Sequence, residues 1–247
     1  MSDEPRLDEQ AIAHAIEVGV SSQLDAAEEL NVDIRTDLLK VVQGQADSIS
    51  VSGKNLVVQP DIHVQEIELQ TGSLSINPLK ALLGHIELDQ PTNTALRLKL
   101  TEADLNQAMN SDFVRSKFSP LELNVDGQPV TLEWQFPMEL HLPEANKIRF
   151  STGMLVHEAG NTRHVDITAV ICPRNHEHPV LLQEFHCGAG QTLTLDFTIA
   201  FMHKMREIVN SPYLDFEGTA FRIKEMEVQP GNLVLQIEAQ VRHLPSM

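Results

Sequence analysis

The sequence predicts a mixed α+β fold: a large, strongly curved antiparallel sheet wrapped around or covered by a few helices. Three observations predict it. Between Ser48 and Asn106, apolar residues recur two apart in seven successive runs: Ile49/Val51, Leu56/Val58, Ile62/Val64, Ile67/Leu69, Leu74/Ile76, Ile86/Leu88 and Leu96/Leu98/Leu100. Period-two alternation is the mark of a sheet with one face buried and one face wet. The chain then switches abruptly to a helix start at Thr101, and two further stretches, residues 7–30 and 194–210, carry apolar residues three or four apart.

The elements follow in order. Leu7 to Leu30 reads as an amphipathic helix on Ile12, Ile16, Val20, Leu24 and Ala27, with Asp25, Glu28 and Glu29 on the wet side. Residues 1–30 are therefore taken as an N-terminal helix packing on a single domain over 31–244. Val32, Ile34 and Thr36 start the first strand, and Leu38 to Val42 reads as a helical turn before Gly44. Within the long strand run, Ile62/Val64 and Ile67/Leu69 are out of phase. A bulge near Gln65–Glu66 would restore the pattern, because a one-residue slip turns every side chain to the other face. Pro78 to Leu83 reads as a short helix closed by Gly84. Thr101-Glu-Ala-Asp104 is a capping-box start with Asp in the Glu position, and the helix it opens runs on towards Phe118 with a break near Asn110–Ser111.

Strands return at Leu121/Leu123/Val125. Asp126-Gly127 between alternating runs is a strong hairpin signal, leading to Val130/Leu132/Trp134/Phe136. Met138/Leu140/Leu142, Ile148/Phe150, Val165/Ile167/Ala169/Ile171 and Val180/Leu182 continue the pattern, with Pro137 and Pro143 placing their strands at edges or ends. Thr194 to Asn210 is helical by spacing. Gly218 to Val241 reads as a hairpin folded at Pro230-Gly231-Asn232.

Composition narrows the function. The net charge of −17 argues against a nucleic-acid partner, which needs a basic stripe, and against broad docking on an anionic membrane. No run approaches the roughly 20 apolar residues that span a bilayer. The acidic start MSDEPRLDEQ has no signal-peptide pattern, and two cysteines make no disulfide framework, so a reduced, cytoplasmic setting is expected, with room for peripheral and transient membrane contact. Aromatics are only 4% of the chain, so the interior is built mainly from Leu, Ile, Val and Met, a lining that suits greasy ligands and equally an ordinary core.

Candidate chemistry is sparse. Cys172, His176, His178 and Cys187 form the one metal-like cluster, yet neither Cys belongs to a Cys-x-x-Cys pair, and a polar turn with two thiols is the simpler reading. Glu66 and Glu68 share a strand face, where a like-charge pair could raise one pKa for acid/base work, but a solvated face explains them more simply. There is no Gly-x-Ser-x-Gly, P-loop, Rossmann fingerprint or His-Glu-x-x-His. No catalytic residue, cofactor or metal is expected.

The run from Gly44 to Gly84-His-Ile-Glu-Leu-Asp-Gln-Pro91, then Leu100-Thr-Glu-Ala-Asp-Leu-Asn106 and Phe221-Arg-Ile-Lys-Glu-Met-Glu-Val-Gln-Pro-Gly-Asn-Leu233, resembles the LmeA-like phospholipid-binding family, long described as a domain of unknown function. The resemblance implies a curved sheet wrapped around helices, similar to tubular lipid-binding proteins, with an apolar groove for an acyl chain. It carries no catalytic motif. With that resemblance, the apolar positions expected to line the ligand are Ile12, Ile16, Leu74, Ile76, Leu82, Leu105, Met109, Ile199, Met202 and Met205, methionine being adaptable to variable chains. The expectation is a soluble, non-enzymatic binder of a lipid or other apolar small molecule. The alternative is a protein-interaction or scaffold domain with the same sheet and a filled core.

Overall fold

The computed structural model describes residues 24–36, 45–75, 87–173, 179–211, 214–216 and 219–243, together with Ser21 and Lys40. The fold is α+β and mostly antiparallel sheet, with one sheet strongly curled. The chain divides into two compact units: Met1–Leu100, Tyr213–Lys224 and Val234–Met247 in the first, Thr101–Pro212 and Glu225–Leu233 in the second.

The first unit is built on a seven-stranded sheet ordered β1-β3-β4-β6-β14-β13-β12. Its strands are β1 (Glu29–Arg35), β3 (Ser48–Gln59), β4 (Ile62–Thr71), β6 (Glu87–Thr101), β12 (Leu214–Phe216), β13 (Thr219–Gln229) and β14 (Asn232–His243), of which Glu225–Gln229 and Asn232–Leu233 are counted with the second unit. Two short strands, β2 (Gln45–Ala46) and β5 (Leu74–Ser75), pair with each other. Several short runs of the sequence merge here: Ile49/Val51 and Leu56/Val58 are one strand, as are residues 87–101. The expected N-terminal helix does not reach Leu30, because Ala26 bridges to Val57 and β1 already begins at Glu29. Most of that segment, with the turns expected over 38–42 and 78–83, lies outside the described residues.

The phase break between Val64 and Ile67 is real, but no extra residue absorbs it. Lys54 pairs with Glu66 and Leu56 with Val64, so the register runs through; the one shift in this pair falls at Val57/Gln59. The change of face is made across the way, at Asn55, whose φ of 49° is left-handed. A Cβ on Gly53 would meet the two Leu56 methyls at 3.1 and 3.2 Å, so these positions face the same way although three residues apart. Asn tolerates that conformation better than most residues do.

The second unit packs a five-stranded sheet, β11-β10-β9-β8-β7, under three helices. Its strands are β7 (Leu121–Val125), β8 (Gln128–Glu144), β9 (Lys147–Glu158), β10 (Asn161–Cys172) and β11 (Leu181–Cys187). The β7–β8 turn is the expected Asp126-Gly127, with φ of 51° and 81°. Helix α1 (Glu102–Met109) has a complete capping box: Thr101 accepts from the Asp104 amide, and the Asp104 carboxylate accepts from the Thr101 amide. As expected, the helix breaks at Asn110–Ser111, and Ser111 caps a short second turn, α2 (Asp112–Arg115). Helix α3 (Leu195–Val209) buries Phe197 and Phe201, one turn apart, against Val130, Leu132, Met154, Val156 and Val165, which are at most 1% exposed.

One contact in this unit follows no standard pairing. β7 ends opposite Leu132, so the rest of β8 has a bare edge there, and Pro137 falls on it. Three side chains of α1 and its cap, four residues apart, fill that edge as a strand would. Asn110 accepts from the Met138 amide and donates to the Met138 carbonyl, both at 2.8 Å. Asn106 does the same for Leu140 at 2.8 and 2.7 Å, and Glu102 accepts from the Leu142 amide at 2.6 Å. The i, i+4, i+8 spacing of a helix rises by about 6 Å per step, close to the repeat of every second strand residue.

Candidate lipid-binding surface

The antiparallel register of the first unit sets rows of side chains across four neighbouring strands. Val32 faces Val51, Val51 faces Leu69, and Leu69 faces Leu96. In the next row Leu30 faces Gly53, Gly53 faces Ile67, and Ile67 faces Leu98, while Ile34 faces Ile49 on the other side. These positions alternate along each strand and therefore share one face. Ile34 and Gly53 are buried; Leu30, Val32, Ile49, Val51, Ile67, Leu69, Leu96 and Leu98 are half-buried. The result is a continuous aliphatic surface with accessible area left on nearly every member. Gly53 leaves the only gap in the rows, and it is needed: a side chain there would press the Glu29 carbonyl oxygen at 3.0 Å.

The opposite face is charged in alternation. Glu29 faces Lys54, Lys54 faces Glu66, and Glu66 faces Lys99. Lys54 binds Glu29 at 2.7 Å, Lys99 binds Glu66 at 2.8 Å, and Arg97 lies 3.6 Å from Glu68. The hydrogen bond from Lys99 holds the Glu66 carboxyl below its usual range, with the charges of Lys99, Arg97 and Lys54 acting in the same sense. The raised pKa that the Glu66–Glu68 pair suggested is reversed at Glu66, whose shift is downward, and each acid has a cation across the strand.

A cleft of about 730 Å³ opens on the same sheet where Gln70, Thr71, Asn93 and Ala95 approach Arg222 and Glu238. Arg222 binds Glu238 at 2.7 Å, and Lys224 reaches the other carboxylate oxygen at 3.3 Å. Arg222 first, then Lys224, holds Glu238 below the usual carboxylate range. Both cations are thus engaged by the Glu238 carboxylate, beside the amide and hydroxyl groups that line the cleft.

Of the residues expected to line a ligand, Ile12, Ile16, Ile76 and Leu82 lie outside the described residues. Leu74 sits half-buried in β5, opposite Ala46 in the first unit. The other five belong to the second unit. Leu105 and Met109 lie four apart and half-buried on α1, and α3 brings Ile199, Met202 and Met205 together. Met205 packs against the core of its unit. Ile199 is 49% exposed and borders a second cleft of about 660 Å³ with Asp196, His203 and Glu207. The aliphatic rows of β1, β3, β4 and β6 were legible as strands, but not as one surface, because that requires knowing which strand neighbours which.

Among the described residues no three His, Cys, Asp or Glu side chains converge as metal ligands. Cys172 pairs with Leu181 and Cys187 with Ile167, at opposite ends of the β10–β11 pairing. Both thiols are free and half-buried, and burial pushes the Cys187 thiol up against a weaker opposing pull from Arg163. No described helix is long and apolar enough to cross a membrane.

No curated protein and no solved structure matches the chain. The family described as LmeA-like phospholipid-binding matches it over residues 6–238, nearly its whole length, and the chain belongs to that family.

Proposed function

We propose that this protein binds a phospholipid by laying an acyl chain along the aliphatic rows of β1, β3, β4 and β6, with no chemistry performed on it. Membership of a phospholipid-binding family supports a lipid partner. The observation that carries the finer reading is the surface itself: eight aliphatic side chains in register across four strands, each still partly accessible. An acyl chain of about 16 methylenes could gain up to about 12 kcal/mol on burial, before the costs of ordering are subtracted. No catalytic group is needed for that.

Native mass spectrometry of the purified protein tests this. A co-purifying phospholipid is expected, and Leu69→Asn or Leu96→Asn should lower its occupancy severalfold while the circular dichroism spectrum is kept. A lipid-free protein that also fails to take up added phosphatidylglycerol or phosphatidylcholine would favour the scaffold alternative instead.

A further inference from the structure

The chain has nine Phe, one Trp and one Tyr, and three of these aromatics meet between the end of α2 and the middle of β8. Phe118 makes edge-on contacts with Trp134 at 6.3 Å and with Phe136 at 5.7 Å. The Arg115 guanidinium lies over Phe136 at 4.9 Å, and the Lys117 ammonium over Phe113 at 5.3 Å. Phe118 is 40% exposed, and residues 115–120 are exposed throughout. Trp134 is half-buried, with one side against the core of its unit. Over residues 112–120 the sequence DFVRSKFSP has two cations and one acid, in a chain whose net charge is −17.

We propose that this patch docks the protein on the surface of a zwitterionic phospholipid bilayer. The choice of a phospholipid surface rests on the proposed function; the position of the patch on the protein does not. An aromatic cluster with cations on its rings matches the headgroup layer, where amphipathic and aromatic side chains settle and Arg or Lys reach phosphate oxygens. Phe118 is the exposed wedge, and Arg115 and Lys117 are the phosphate contacts. The acidic remainder of the chain is repelled by an anionic surface, so a neutral one whose every lipid still carries a phosphate is the better match. Nucleic acid is disfavoured by the same charge balance.

Trp134 is the only tryptophan, so its fluorescence reports this patch alone. The intact protein is mixed with phosphatidylcholine vesicles, with and without bromine on the acyl chains. Docking predicts co-sedimentation and quenching of Trp134 by the brominated lipid. Phe118→Ser, and the double variant R115Q/K117Q, should each weaken vesicle affinity by about fivefold, as expected for exposed contacts, with the circular dichroism spectrum unchanged. Vesicle binding without quenching, quenching that the variants leave intact, or no vesicle binding would each overturn the proposal. The Leu69→Asn protein separates the two readings. If the sheet holds the acyl chain, it loses bound lipid but still shows quenching; quenching with no lipid ever bound would sink the sheet reading and keep the docking face.

Discussion

Asn106 and Asn110 each satisfy both the amide and the carbonyl of a β8 residue, Leu140 and Met138 respectively. Replacing Asn110 with Leu keeps the helix but leaves one donor and one acceptor of the strand without a partner. Each such half-buried loss costs on the order of 1 kcal/mol or more, so N110L should destabilise by about 2 kcal/mol or more in urea unfolding. N106L should behave alike. Wild-type stability in either variant would show that water replaces the amide at no cost. Gly53 gives a second residue-level prediction: Gly53→Val cannot be accommodated without moving the Glu29 carbonyl, and should lower the melting temperature of the first unit. Neither feature was legible in sequence. An Asn on a helix looks the same whether it faces water or a strand edge, and Gly53 reads as a weak strand former until its neighbours are known.

At the scale of elements, the signals that depend on local chemistry came through. The capping box at Thr101, the break at Asn110–Ser111 and the Asp126-Gly127 turn are each fixed by side chains a few residues apart. What failed was β9. Its second half, residues 151–158, holds Met154 and Val156 at 0% exposure, yet it closes on Ala159-Gly160, and Ala is a poor advertisement for the φ of 48° it adopts. The helix–edge contact gives α1 a pH signature. The Leu142 amide, then His141, holds the Glu102 carboxyl below its usual range. A depressed folded pKa means the contribution is present above the ordinary carboxylate range, near 4.5, and is lost as pH falls through the lower folded value. Glu66 and Glu238 act in the same sense. Thermal stability should therefore hold from pH 7 to about 5 and decline below it, and Glu102→Gln should be less stable at pH 7 with a shallower acid decline. An equally steep decline in E102Q would remove Glu102 from the account.

For the molecule as a whole, the sequence carried the α+β class and the family, because alternation and turn punctuation survive without coordinates. It did not carry the aliphatic rows on which the proposed function rests. Leu105, Met109, Ile199, Met202 and Met205 were attractive because an amphipathic helix stripe is visible in one dimension, whereas Val51, Leu69 and Leu96 become one surface only when three strands are set side by side. The two sets belong to different units, which makes them experimentally separable. A phospholipid with a photoactivatable diazirine in its acyl chain, bound to the purified protein and irradiated, reports by peptide mass spectrometry which residues the chain touches. The sheet reading predicts adducts concentrated on Val32, Val51, Ile67, Leu69, Leu96 and Leu98; adducts confined to α1 and α3, with those strands unlabelled, would contradict it.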